Sequence, residues 1–267
     1  MAETDREKPG GVLLTVAYDG DSFVGFAPQN EGRTVHGVIL SAARAMDPAI
    51  GRIRGASRTD AGVHARGQLV SFDPARHIPP RGWVLGMNAH LPVDVAVRRA
   101  REVPRGFEPR ASGAGKRYRY RVLQEPVRDP LVDRQAWRVD VALDLAKARL
   151  ELRDLLGTHD FRAFRSSRDE RVDTVRTITH ASAAEGLAGD PRMLGIDIEG
   201  SAFLHNMVRI IAGTVVDVSR GHLAVGAVAR AIASGRREDL GMTAPPHALF
   251  LEEVMLPADL AEGASWP

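Results

Sequence analysis

The chain has 267 residues, 44% of them hydrophobic, enough for one large domain or two of ordinary size. Its 36 Lys and Arg stand against 34 Asp and Glu, a net charge of +2, so bulk charge alone does not point to a nucleic-acid partner. The absence of cysteine excludes disulfides and thiolate metal sites and fits a reducing compartment. No apolar run approaches the roughly 20 residues that span a bilayer. The polar stretch Met1 to Gly10 carries no signal-peptide apolar region, so a cytoplasmic location is expected.

The β-branched apolar run Val12 to Asp19 predicts a strand closed by Asp19-Gly20. Thr34 is an N-cap candidate for a helix in which Val35, Val38, Ile39, Ala42, Ala43 and Met46 recur at helical spacing, with Pro48 stopping the run. Gln68 to Asp73 reads as a strand, Trp83 to Ala89 as a short helix and Asp94 to Val103 as another strand. The second half repeats this alternation. Lys116 to Leu123 reads as a strand, and Asp144 caps a helix closed by Gly157. Thr174 to Ala183 and Met193 to Glu199 are strands joined by a surface hairpin loop, Ala184 to Arg192. A long helix is expected to open at Ala202-Phe203-Leu204-His205 and run through Val218, followed by a helix over Ala224 to Ala233 and a last strand over Ala248 to Leu256. The fold class is therefore α+β, in two similar halves expected to meet at a cleft. The boundary is placed where Pro and Gly concentrate, between Pro104 and Gly113. This gives a disordered tail over 1–11, domains over 12–108 and 109–258, and a C-terminal tail over 259–267.

Four runs could carry chemistry. Ser57-Arg58-Thr59-Asp60-Ala61-Gly62-Val63-His64-Ala65 packs three ionisable groups around a glycine between apolar segments, the pattern of a loop presented by a sheet edge. A carboxylate such as Asp60 can attack an electrophilic carbon or take a proton, or simply cap a turn. Asp60 and His64 could share a metal only on a helix, and Gly62 argues against one. Lys116-Arg117-Tyr118-Arg119-Tyr120-Arg121 would place tyrosines on one strand face and arginines on the other, one face for a base and one for phosphates. It ends a stretch, Arg98 to Arg121, with nine basic residues and two acidic ones, a local balance of +7. Phe203 to Arg209 sets His205 and Arg209 four apart on the expected helix, where a buried arginine wants a carboxylate. Ala244-Pro245-Pro246-His247-Ala248-Leu249-Phe250-Leu251 closes the series, with Leu249 either a pocket wall or a plain core residue.

Arg58 to His64 resembles the signature of the TruA family of tRNA pseudouridine synthases, Arg-Thr-Asp-Ala-Gly-Val-His. The other three runs resemble that family's Arg-Tyr-Arg-Tyr, Phe-x-His-x-Met-Val-Arg and Ala-Pro-x-x-Gly-Leu-Tyr-Leu segments, so the likeness spans about Val12 to Leu256. It departs at Phe26 (usually Trp), Ser57 (usually Gly), Ala248 (Gly) and Phe250 (Tyr). The resemblance implies the pseudouridine synthase fold, with antiparallel sheets flanking a central basic cleft. It implies conversion of uridine to pseudouridine in the tRNA anticodon stem-loop, at positions 38, 39 and 40, by a homodimer.

It further implies Asp60 as the catalytic group, Arg209 paired with it, Tyr118 on the target base and Leu249 as an apolar wall of the uracil pocket. A paired uridine must leave the stem to react, and Arg58 would fill the space it vacates. Arg117 and Arg119 would meet phosphates, with His64 and His205 beside the RNA. The reaction exchanges an N1–C1′ bond for a C5–C1′ bond with no net redox change or hydrolysis, so it needs no cofactor in principle, and no metal is expected. Two other readings remain from the residues alone: a non-catalytic tRNA-binding protein or chaperone, and a metal-dependent hydrolase using Asp60 and His64.

Overall fold

The computed structural model describes residues 10–167, 169, 171–257 and 265–266. The expected tails at 1–9 and most of 259–267 lie outside them. The chain divides into two compact units, the described residues through Ala114 with those from Val254 onward, and Gly115–Glu253.

In the first unit the apolar run forms strand β1 (Gly11–Tyr18), one residue earlier than the expected tail boundary. Helix α1 (Val35–Met46) begins where expected, with the Thr34 hydroxyl accepting from the Gly37 N–H at 3.1 Å. A two-residue strand β2 (Arg54–Gly55) precedes β3 (His64–Phe72), which starts at the end of the signature rather than at Gln68. Then come α2 (Pro80–His90) and β4 (Val95–Val103). The order β4-β1-β3 is antiparallel, with β2 antiparallel on β3. Leu14, Val16, Val70 and Phe72 of the strands and Ile39, Ala43 and Met87 of the helices are all buried, and Phe72 packs edge-on against Trp83 at 5.0 Å. A register shift opposite Thr15/Val16 bulges β4, so Arg98 and Arg99, although consecutive, are both exposed.

The second unit holds β5 (Gly115–Gln124), β6 (Trp137–Val139), α3 (Leu145–Arg153), β7 (Gly157–Asp160), β8 (Val175–Glu185), β9 (Met193–Gly200), α4 (Met207–Ser219), α5 (Ala227–Ser234) and all but the last two residues of β10 (Leu249–Met255). The order is β10-β5-β9-β8-β7. Pairs β5–β9, β9–β8 and β8–β7 are antiparallel, whereas β6 joins β5 in parallel, a departure from the purely antiparallel expectation. A last strand, β11 (Ser265–Trp266), pairs with β4 inside the segment read as a tail.

Three expected helix bounds are corrected. Asp144 does cap α3, accepting from Ala146 and Lys147 N–H, but the helix ends at Arg153, and Gly157 (φ +105°) opens β7 instead. Helix α5 starts at Ala227, after Gly226 at φ +83°, because the buried Glu151 carboxylate accepts the Gly226 and Val228 N–H groups and fixes the start there. Helix α4 starts at Met207 rather than Ala202: Asn206 takes a left-handed conformation (φ +63°), which ends any continuous helical path from His205.

Candidate active site

The signature occupies the connection between β2 and β3. Its tip is a tight turn in which Val63 N–H donates to the Asp60 carbonyl at 3.2 Å, and Gly62 takes φ +76°, a conformation that suits glycine. Arg58 is exposed and the Asp60 side chain half-buried, while Ser57, Thr59, Val63 and His64 are buried. The chain around Asp60 is thus anchored on both sides.

Three sets of partners supply the anchoring. Gln68, fully buried on β3, accepts the Ser57 N–H at 3.1 Å and donates to the Ser57 carbonyl at 2.7 Å, holding the peptide before Arg58. The Tyr18 hydroxyl bonds the Thr59 hydroxyl at 2.7 Å and accepts from Gln68 at 3.4 Å. The loop 19–34 then wraps the turn. Phe26 N–H donates to the Thr59 carbonyl at 3.0 Å and Gly62 N–H to the Phe23 carbonyl at 3.3 Å. Approach is so close that a Cβ on Gly20 would sit 2.1 Å from the Val63 carbonyl oxygen. Phe26, in place of the family's usual Trp, is itself buried and lies against Tyr18, with ring centroids 6.5 Å apart.

His64 was expected beside RNA. It is 1% exposed, and its Nδ1 accepts the Gly20 N–H at 2.9 Å, so its place is within this clamp rather than on a surface.

In the second unit, three of the sequence runs converge. Tyr118 and Tyr120 lie on one face of β5 and are buried. The Tyr118 ring packs edge-on against Phe203 at 5.0 Å. The Tyr120 hydroxyl donates to the Pro245 carbonyl at 2.8 Å, and burial pushes its phenol far above the ordinary tyrosine range. Arg209, on the first turns of α4, donates from Nε to the Ala244 carbonyl at 2.8 Å and from Nη1 to Asn206 Oδ1 at 2.8 Å. The Ala244 N–H returns to the Arg209 carbonyl at 3.1 Å. Leu249, 6% exposed, begins β10 just beyond this proline segment. His205 lies outside the helix, so the expected i, i+4 spacing of His205 and Arg209 on one helix is not realised. Its backbone N–H donates to Asp169 instead.

Arg117, Arg119 and Arg121 occupy the opposite face of β5. Arg119 forks onto Asp197, its direct partner on β9, at 2.9 and 3.0 Å. Arg117 pairs with Glu253 at 2.8 Å and Glu199 at 3.6 Å. The Arg121 guanidinium lies 3.6 Å over the Phe250 ring. This half of the basic stretch is therefore largely offset by acids of adjoining strands, while Arg98 and Arg99 on β4 stand exposed.

Sequence reasoning missed Gln68 and Asp169, which hold backbone groups of the site loops, and Tyr18 and Asn206, which hold the Thr59 and Arg209 side chains. Asn206, a residue type that tolerates the left-handed region, was the local signal that could have marked the α4 start.

An RNA-modifying isomerase is the class that the comparisons define. The chain belongs to the tRNA pseudouridine synthase family, whose model matches residues 14–110 and 152–257. Strand β5 with Tyr118 falls between the two matched segments. The chain is 43% identical over 241 residues to tRNA pseudouridine synthase A of Myxococcus xanthus, covering 90% of each chain. It is 41% identical to the protein of that name from Geobacter sulfurreducens, over 91% of this chain and 98% of that one. It is 40% identical to that of Halalkalibacterium halodurans, over 89% of each.

Proposed function

We propose that the protein converts uridine to pseudouridine in the anticodon stem-loop of tRNA, with Asp60 as the reacting carboxylate. The observation that carries this reading is the Asp60 turn: its neighbours are fixed by buried hydrogen bonds, and Asp60 opens the turn half-buried. Preorganisation of this kind places a nucleophile or base without cost at the moment of reaction. The N1–C1′ bond breaks, the base turns, a C5–C1′ bond forms, the C5 hydrogen leaves as a proton and N1 takes a proton up. Asp60 acts on the nucleoside in its ionised form, as nucleophile or base. Arg209 supplies the positive charge that keeps such a carboxylate ionised and oriented.

Tyr118 stacks on the base, and its fixed Phe203 neighbour supports a rigid ring there. Leu249 contributes an apolar wall. Arg58, exposed beside the turn, takes the place of the extruded base. His205, Arg117 and Arg119 remain RNA contacts of the reading, the last two now in competition with Asp197, Glu199 and Glu253. Phosphate contacts fix register and base contacts select. The reading includes a homodimer, a cytoplasmic location and no cofactor. No helix among the described residues is long and apolar enough to cross a membrane.

The test is tritium release from tRNA transcripts carrying uridine labelled at C5, since formation of the new carbon bond must expel that hydrogen. Release by the wild type and none by Asp60→Ala is the expected result. Tight tRNA binding without release by the wild type would identify a non-catalytic tRNA-binding protein instead.

A further inference from the structure

We propose that Asp169 is a positioning residue for the reaction, holding the turn Phe203–Asn206 from which both Tyr118 and Arg209 take their support. The proposal rests on the reading of Tyr118 and Arg209 as site residues. Because Asn206 is left-handed, the peptide groups of His205 do not join the helical ladder of α4 and need other partners. The segment around Asp169 provides them. His205 N–H donates to Asp169 Oδ2 at 2.9 Å, and the His205 carbonyl accepts from Ser166 N–H at 3.0 Å. Arg171 Nη1 donates to the Phe203 carbonyl at 3.2 Å.

Asp169 is the centre of this clamp. Its side chain is 3% exposed and accepts from Arg171 through Nε at 2.8 Å, Nη2 at 2.6 Å and the backbone N–H at 3.2 Å. The Arg171 guanidinium beside it holds the carboxyl well below the usual carboxylate range. The turn it fixes ends, on one side, at the Phe203 ring against Tyr118 and, on the other, at Asn206 Oδ1, which accepts from Arg209 at 2.8 Å. One buried charge therefore braces two site residues on different elements.

The same Asp-x-Arg fork recurs at Asp190 and Arg192, on the β8–β9 connection, where Asp190 Oδ1 accepts Arg192 N–H at 2.9 Å and Nε at 3.1 Å. That fork is a loop-closing device away from the Phe203–Asn206 turn and serves as the control. Asp169→Asn removes the charge that holds Arg171 and with it the hold on Phe203. Small displacements of positioning groups cost up to about 100-fold in rate.

The experiment is single-turnover tritium release from C5-labelled tRNA with saturating enzyme, at a temperature well below the melting point of every variant. Filter binding of the same tRNA gives Kd. Asp169→Asn is expected to slow release about 10- to 100-fold while Kd changes by less than about twofold, and Asp190→Asn to keep the wild-type rate. A wild-type rate in folded Asp169→Asn overturns the proposal, as does a loss confined to Kd or an equal slowing in Asp190→Asn. Should Asp169→Asn fail to fold, Arg171→Lys is measured instead. It keeps the carboxylate charged but removes the guanidinium fork onto Asp169 and the Nη1 bond to the Phe203 carbonyl. It is expected to slow release, and an unchanged rate overturns the proposal. Wild-type protein that releases no tritium from any tRNA overturns the isomerase reading, and the proposal with it, before any variant is compared.

Discussion

Asp60 shows what a residue type in a pattern can and cannot reveal. Seven consecutive residues, Arg58 to His64, were enough to select it as the group of interest. They could not tell which members of the run face a ligand and which brace the loop. Burial separates them, with Arg58 exposed and Thr59 and His64 inside. Asp60→Asn, nearly isosteric, should leave the fold and tRNA affinity intact and abolish tritium release; unchanged turnover would remove Asp60 from the chemistry. Gln68 is the opposite case, an unremarkable polar residue in an apolar strand whose role depends on Ser57 lying across from it. Gln68→Leu takes partners from two buried backbone groups, with an expected cost of about 1–3 kcal/mol for each group left unsatisfied. Urea titration measures it, and a midpoint equal to wild type would show that the loop finds other partners.

Between elements, docking distances decide what sequence periodicity leaves open. Helix α4 approaches the segment 241–244 so closely that a Cβ on Gly213 would lie 1.9 Å from the Met242 carbonyl oxygen. Gly213→Ala must therefore push that segment away from Arg209, whose Nε and carbonyl are tied to Ala244. A loss of about 1–3 kcal/mol in thermal stability is expected, with a fall in turnover. A variant as stable and active as wild type would show that the segment yields freely. The Asp169 clamp gives a pH signature. Its folded-state carboxyl is depressed by Arg171, so its stabilisation is complete above the unfolded value of about 3.9 and is lost as pH falls through the folded value. The melting-temperature gap between wild type and Asp169→Asn should be widest near neutral pH and shrink as pH drops below about 4. A gap that stays constant would mean that the charge contributes nothing.

At the scale of the whole molecule, the net charge of +2 hides an uneven distribution, and the pairing of each arginine determines its use. Arg99 is exposed at the bulge of β4, whereas Arg119 is engaged by Asp197. Arg99→Ala should lower the salt slope of tRNA binding by about 1. Arg119→Ala should cost less than about 1 kcal/mol in stability and change the slope less, because its charge is already offset. Equal slopes for Arg99→Ala and wild type would exclude Arg99 from phosphate contact.

By itself the sequence determined the α+β alternation, the Thr34 and Asp144 caps and the four chemical runs, since these follow from side-chain period, capping chemistry and contiguous motifs. Only the tertiary structure decided that α4 begins after a left-handed Asn206, that His64 faces inward, that the arginines of β5 meet acids of β9 and β10, and that Gln68 and Asp169 brace the site loops. Each of these depends on which backbone group or charge arrives from a distant part of the chain, and that is set by packing across elements rather than by neighbours in sequence.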